Sequence, residues 1–574
     1  MNITKKNNTL EIIFYSLFCI LTILISICHE PWFDELQAWA ISKDSISNIL
    51  FFLPHYEGHP PLWHLILKCF SYFNVPVEYG IKIPNLLFMF GAVWLLMFKS
   101  PFPKTVRLVL PFTYFIFYQY SIISRPYSIF CFALFLAAYF YKTKDEYPYR
   151  FMSALVLLCL SSAYGMVFTA GICIAWFIER IKDVSFKKAI FEHQFFAMFL
   201  LFILCSILAI IISPVSDTFA LTDDIKVDYL SKFFCAFFVF PAETTFTNII
   251  DYITVDIFDV DFRHFFEYFE ITDIRNFIFK FWITCFIGTT VNIFLLVFFK
   301  KIKFLSSFII PYLLFLFSIF ILYGHVHHIG LLMLFYIFAF WCAFSTIENP
   351  INPKLNKLLN IVITFLIIIQ LYWSICSSIA DYNYSYAIFR ELKEYVKQEK
   401  LTDYKIFSEW STCTALLNKK THKRHISHIA DPNRIAWYSD EEFLKDYYHK
   451  DFSFLNHQHL AVCLNSYFNK NIFYNFNMEN PDRMYLFHIA MTYEKTNIEL
   501  KKLKEMGLPE VVMGNASLDL IFAEYGVLTK NYRVMETFRS SYILKNKMQD
   551  KEYPIYMRKD LYYEWIKKKY EKSN

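Results

Sequence analysis

Charge, glycine and paired cysteines are what this sequence has little of. Only 19% of its 574 residues are charged, against about 25% in a typical soluble domain. The formal net charge of +5 is too small and too dispersed for a nucleic-acid binder. Eleven glycines and no visible internal repeat argue against a transporter, whose related halves carry Gly- or Pro-broken segments. No CxxC pair or zinc-type spacing occurs, and eleven of the 13 cysteines stand singly before residue 380 in apolar stretches. There Cys behaves as a small hydrophobe. Cys413 and Cys463 lie in polar surroundings and can pair only if that part of the chain faces an oxidising compartment. No small-residue cleavage site follows the first apolar run, so residues 11–28 read as a retained span, not a signal peptide.

Apolar residues are what the chain has in excess: 56% hydrophobic, 21% aromatic and a mean hydropathy of +0.34, gathered in long blocks. A helix needs roughly 20 such residues to cross about 30 Å of hydrocarbon. Spans are expected near 11–28, 81–98, 107–123, 126–141, 152–164, 166–178, 195–213, 281–299, 304–322, 329–345 and 358–376. The fifth and sixth are short and read as a tight or broken pair. Residues 59–73, "HPPLWHLILKCFSYF", are Pro-led and brief, which suits an interfacial or re-entrant helix. Lys and Arg cluster at 5–6, 99–107, 142–150, 180–188, 300–303 and 354–357, all on one side of these spans. That side is cytoplasmic by the positive-inside rule. The other side receives the loop 29–80, the turn at Arg125, the loop 214–280 and "GHVHH" at 324–328.

Residues 377–574 alternate short apolar runs such as "YKIFSEW", "HLAVCLN" and "DLIFAEYG" with helical stretches such as "EEFLKDYY" and "NIELKKLKEM". That is the texture of an α/β domain. The expected fold class is therefore mainly α. A polytopic membrane protein of about 11 transmembrane helices, residues 1–376, precedes a C-terminal extracytoplasmic α/β domain, residues 377–574.

The string "HEPWFDELQAW", residues 29–39, sets Glu30, Asp34 and Glu35 where the chain leaves its first span. Pro31 suits the first residue of a helix with Glu30 as its cap. Asp34 then sits at the positive end of the helix dipole. Later in the same loop "HYEGHPPLWH" adds Glu57, His59 and His64. One helix face cannot carry both strings, so the loop must fold to join them. Two converging carboxylates can deprotonate a hydroxyl and hold a cation or a second proton. The same residues also fit plain interfacial anchoring, with Trp32, Trp39 and Trp63 as an aromatic belt.

A "DE" pair just after the first span, followed in the same loop by "EGHPPLWH", resembles the GT-C membrane glycosyltransferases. The pattern is similar to the branch of dolichyl-phosphate-mannose–protein mannosyltransferases and bacterial lipid A aminoarabinose transferases. The longer string "HEPWxDExQAW … EGHPPLWH … RPY" resembles a bacterial subgroup of that superfamily. The likeness covers residues 11–140 and extends, through topology alone, to about 376. It implies an enzyme of the bacterial inner membrane with its site on the external face. Such an enzyme moves a sugar from a polyprenyl-phosphate carrier to a glycan, lipid or protein hydroxyl with inversion at the anomeric carbon. Asp34 then corresponds to the general base, with Glu35 beside it but turned about 100° away on a helix. Glu57 corresponds to a second active-site carboxylate, and His59, Trp63 and His64 complete the substrate loop.

In an enzyme that handles a lipid phosphate, Arg125 and Tyr127 of "RPY" are candidates to bind that phosphate, and His327 and His328 can donate to it. A guanidinium can bind a phosphate bidentately and stabilise it as leaving group; a snorkelling interfacial arginine is the alternative. Glu57 with His327 can also ligate a divalent metal ion, and no other cofactor is implied. Alternatively "HVHH" is an exposed polar turn. The acid-rich loop 214–280 contains a DxD at 259–262. Because an external site meets no nucleotide sugars, this loop reads as a solvated lid or acceptor-binding segment. A transporter or flippase for lipid-linked saccharides is the competing function, and a non-catalytic scaffold a third. Concentration of charge in one external loop favours the enzyme.

Overall fold

Helix α1 (Thr9–Cys28) turns its polar side inward. It buries Glu11, Phe18, Thr22 and Ser26, while Ile12, Ile20, Leu24 and Ile27 are each more than half exposed. Apolar faces of this extent turned outward belong in apolar surroundings. The computed structural model describes residues 8–184, 188, 191–216, 218, 229–245, 274–321, 326–347, 353–410, 412–417, 424–428, 455–456, 458–487, 493–516, 527–544 and 547–573. After α1 come α2 (Phe33–Ser42), α3 (Pro54–Glu57), α4 (Leu62–Tyr72), α5 (Val77–Lys99), α6 (Lys104–Val109), α7 (Tyr127–Tyr141), α8 (Pro148–Ser161) and α9 (Ala163–Asp183). Then follow α10 (His193–Ile211), α11 (Tyr229–Phe234), α12 (Phe240–Glu243), α13 (Ile274–Lys301), α14 (Leu305–Ile321), α15 (Val326–Thr346) and α16 (Pro353–Asn383).

Among the described residues seven helices are long and apolar enough to cross a membrane: α1, α5, α9, α10, α13, α15 and α16. Three shorter apolar helices, α7, α8 and α14, complete the bundle. Outward faces again carry large apolar side chains, such as Phe202 and Ile210 on α10, Phe286 on α13 and Ile368 on α16. This is the build of an α-rich membrane protein.

Residues 107–123 depart from expectation. In place of one continuous helix they form α6, a 3-10 turn (Leu110–Phe112) and a π-helical turn (Phe115–Gln119). Pro111 removes one ladder donor in the middle of the run. Broken backbone is tolerated at membrane depth only where protein satisfies it. Here Asn85 of α5, fully buried, donates to the carbonyls of Tyr120 (3.1 Å) and Ser121 (3.0 Å). Replacing Asn85 with the nearly isosteric Leu leaves both carbonyls without that donor. We expect a loss of about 1–3 kcal/mol, measured as a lower Tm of the detergent-solubilised protein.

The Pro-led segment is short and the fifth and sixth spans form a broken pair, as expected, whereas the histidine string does not keep the expected turn. The Pro-led segment forms α4, whose 11 residues span only about 16 Å, too short for a crossing. Between α8 and α9 the chain breaks at Ser162, which is extended and caps Gly165 N–H through its side chain (3.0 Å). "GHVHH" does not stay a turn: α15 begins at Val326, so His327 and His328 lie in its first helical turn. His325 and the DxD at 259–262 lie outside the described residues.

The two ends of the bundle differ. At one end Glu11 pairs with Lys104 (3.2 Å) and Arg107 (3.3 Å), Lys144 with Glu179 (3.1 Å), and Arg180 grips Glu192 at 2.7 and 2.9 Å. From this end α1 runs to the opposite one, where the start of α2, the 124–127 turn, the start of α15 and the end of α16 meet.

Beyond residue 377 come α17 (Phe389–Gln398), β1 (Ile406–Trp410), β2 (Thr412–Leu417), β3 (Arg424–His428), β4 (Leu455–Asn456), α18 (His459–Phe468), α19 (Tyr493–Met506) and β5 (Val511–Ala516). These are followed by α20 (Val527–Asn531), β6 (Tyr532–Leu544), β7 (Lys547–Arg558) and α21 (Lys559–Ser573). One sheet runs β1-β5-β7-β6, with only the β1–β5 pair parallel, and a second runs β3-β2-β4. "HLAVCLN" is helical in α18, buried along most of its length, where a short apolar run alone does not separate helix from strand. Cys463 lies there with its thiol buried and free. The runs at 519–526 and 441–448 are outside the described residues. Helix α18 packs on α2: His459 stacks on Phe33 at 3.7 Å and Ser466 donates to Leu36 O (3.2 Å).

Candidate functional site

The site is assembled around the start of α2. That helix begins at Phe33, with Trp32 as its extended N-cap, and Glu35 three residues on accepts the Trp32 N–H (3.1 Å). The reciprocal side chain of a capping box thus comes from Glu35. This corrects the expectation that Pro31 opens the helix and Glu30 caps it. Glu30 is instead buried against the C-terminal part, accepting the Arg390 N–H at 2.5 Å, and burial pushes its carboxyl up to about 8.

Capping fixes two neighbours in opposite roles. Glu35 is fully buried, and its second oxygen accepts the Ser124 N–H (2.7 Å). Asp34, one residue earlier, stays partly open with its side chain 28% exposed and pairs with the Arg125 guanidinium. Two adjacent bonds, Glu35 to Ser124 and Asp34 to Arg125, therefore lock the two strands of chain together. Burial opposes the Arg125 charge, but Asp34 first, with Tyr127 and Glu35, together outweigh it and hold the guanidinium above its ordinary value.

Gln37, one turn after Asp34, connects the second string. Its amide donates to Glu57 Oε1 (3.2 Å) and to Leu486 O (2.8 Å), while its oxygen accepts the Leu486 N–H (3.0 Å). Glu57 ends α3, and Gly58 reverses the chain with a φ of +66°, a left-handed value that favours glycine. His59 and His64 follow. Burial, reinforced by the Arg125 charge, pulls His59 down to about 3 and His64 to about 4, so both rings are neutral at pH 7. The His59 Nδ1 is buried without a hydrogen-bond partner. Trp63 is 2% exposed and sits in the apolar core with Leu36 and Ile81, not on an open substrate surface.

On the far side of Arg125, the guanidinium lies 5.7 Å from the Tyr127 ring centre. Tyr127 Oη is 2.9 Å from His328 Nε2, and its ring is 5.4 Å from that of His327. Arg125, Tyr127, His327 and His328 are thus contiguous. Among the described residues no group of three or more His, Cys, Asp or Glu side chains is arranged to hold a metal ion.

Gln37 carries no signal of its own in the sequence, although its place three residues after Asp34 puts both on one helix face. His29 and Asp381 also belong to this end of the bundle. Fold and site together define an α-rich membrane protein with a carboxylate–guanidinium centre at one end of its helices. No protein family, curated protein or solved structure matches the chain.

Proposed function

We propose that this protein is an integral-membrane inverting glycosyltransferase. It transfers a sugar from a polyprenyl-phosphate carrier to an acceptor hydroxyl at the external face of a bacterial inner membrane. The observation that carries the reading is the contact between Asp34 and Arg125, with Glu57 tied to the same helix face through Gln37. A carboxylate and a guanidinium side by side offer what such a transfer needs: a proton acceptor and an anion partner for the departing phosphate.

In this mechanism Asp34 takes the proton of the acceptor hydroxyl. The hydroxyl oxygen attacks the anomeric carbon from the face opposite the phosphate. The bond from that carbon to the phosphate oxygen breaks, the electron pair leaves on the phosphate, and Arg125 stabilises the anion. Glu57 orients the acceptor, while the neutral His59 and His64 offer hydrogen bonds without adding charge. The resemblance of "DE … EGHPPLWH … RPY" to GT-C enzymes supports the same assignment.

The reading carries a topology of eleven crossings, with a cytoplasmic N-terminus, the site outside and residues 377–574 outside. Seven long helices and three shorter ones support it. So does the broken 107–123 segment, which passes from Arg107, bonded to Glu11 at one end of the bundle, to Arg125 at the other. A reporter fused after Asn574 should be active only on the external side; cytoplasmic activity would overturn the crossing count. Transfer itself is tested with a labelled polyprenyl-phosphate sugar and the Asp34→Asn variant.

A further inference from the structure

The imidazole of His29 is fully buried where α1 ends. Its Nδ1 lies 2.8 Å from Asp381 Oδ2 and its Nε2 3.3 Å from Glu35 Oε2. Each ring nitrogen faces a carboxyl oxygen, an acceptor, which is the arrangement that favours a doubly protonated imidazolium. Tyr118 also donates to Asp381 Oδ2 (3.0 Å), and the Tyr386 ring packs 4.6 Å from the imidazole. Lys82 of α5 donates to the His29 carbonyl (2.6 Å), and Glu78 and Arg390 lie close enough to act on Lys82. A buried ion chain therefore ties the end of α16 to the start of α2, and through Glu35 to the Ser124 N–H.

That last bond sits one residue from both Asp34 and Arg125. We propose that His29 and Asp381 are positioning residues: the imidazolium, clamped between Asp381 and Glu35, holds the Glu35–Ser124 bond and so sets the placement of Asp34 against Arg125. The assignment of work to Asp34 and Arg125 rests on the transferase reading; the clamp itself does not. Burial lowers the His29 affinity for its proton, but Asp381 and then Glu35 outweigh it and raise the group from 6.5 to about 9. A raised histidine contributes its stabilisation fully below about 6.5 and loses it as pH rises through about 9. The clamp should thus release in alkali.

The test uses the full-length protein in detergent or nanodiscs, as wild type, His29→Gln and Asp381→Asn. Hydrogen exchange is read on the peptide containing Ser124, as protection relative to the intrinsic rate at each pH. At pH 7.5 both variants should lose about tenfold or more of that protection. Wild type should lose it in a step between about pH 8 and 10 that is missing from His29→Gln. With a labelled donor, kcat of His29→Gln should fall by up to about a hundredfold, as expected for a misplaced reacting group. The alkaline limb of the wild-type profile should vanish with it. If His29→Gln does not fold, Asp381→Asn, which keeps the side-chain shape, carries the same measurements. Wild-type protection and an unchanged alkaline step in the variants would overturn the inference while leaving the transferase reading intact. An alkaline step at Ser124 in a protein that neither binds nor transfers a lipid-linked sugar would do the reverse.

Discussion

Asp34→Asn is expected to lower sugar transfer by roughly a thousandfold, within the range of about 10²–10⁴ for loss of a general base. The amide keeps the shape of the side chain but cannot accept the proton of the attacking hydroxyl. Its fold should be retained at some cost in stability. The Asp34 and Arg125 side chains are 28% and 14% exposed, so the carboxylate's loss leaves a mostly buried guanidinium without its counter-charge, at about 1.5–3 kcal/mol. A folded protein with a Tm lowered by several degrees, and transfer reduced far more than that loss explains, is the expected pair of results. Glu35→Gln should behave in the opposite order. Its two oxygens hold the Trp32 and Ser124 N–H groups and face His29, so its loss should appear first in stability. Full activity in both Asp34→Asn and Glu57→Gln would remove the catalytic assignment.

Much of the bundle could be read from the sequence because membrane helices announce themselves by length and hydropathy alone. What escaped was set by contacts far apart in the chain. Pro111 is a local cause of the break in residues 107–123, but the group that makes the break tolerable, Asn85, lies thirty-five residues before the Tyr120 carbonyl that it serves, on another helix. Helix α2 starts at Phe33, two residues later than Pro31 and Glu30 suggest, although those two fit the usual opening of a helix. Tertiary burial of Glu30 against Arg390 claimed that carboxylate, and Glu35 did the capping. In the site, Asp34, Glu57 and Arg125 stood out as charges beside apolar runs. Gln37 did not, being neutral, although the loop folds through it. His29 and Asp381 meet across 352 positions, and no local pattern reports such a pairing. The one visible trace is that each is an ionisable residue at the end of an apolar span, where burial demands a partner.

The contact between Asp34 and Arg125 also implies an order of events, and a second large effect follows from it. While the guanidinium is engaged by Asp34, the proposed base is held by the proposed phosphate ligand. A lipid phosphate entering the site competes for Arg125 and frees the carboxylate for the acceptor. Donor binding should therefore precede productive acceptor binding. The two variants of the pair should then move donor affinity in opposite directions. Arg125→Ala removes charge-assisted bonds of about 1.5–3 kcal/mol, so binding of a polyprenyl phosphate should weaken by roughly ten- to a hundredfold. Asp34→Asn removes the competitor and should tighten binding, by up to about tenfold, although it abolishes transfer. Calorimetry of each variant in nanodiscs with polyprenyl phosphate reads both. In the double variant the gain should disappear, because it is routed through Arg125. If Asp34→Asn binds the lipid phosphate no better than wild type, Arg125 is not shared between base and donor, and the order of binding must be set elsewhere.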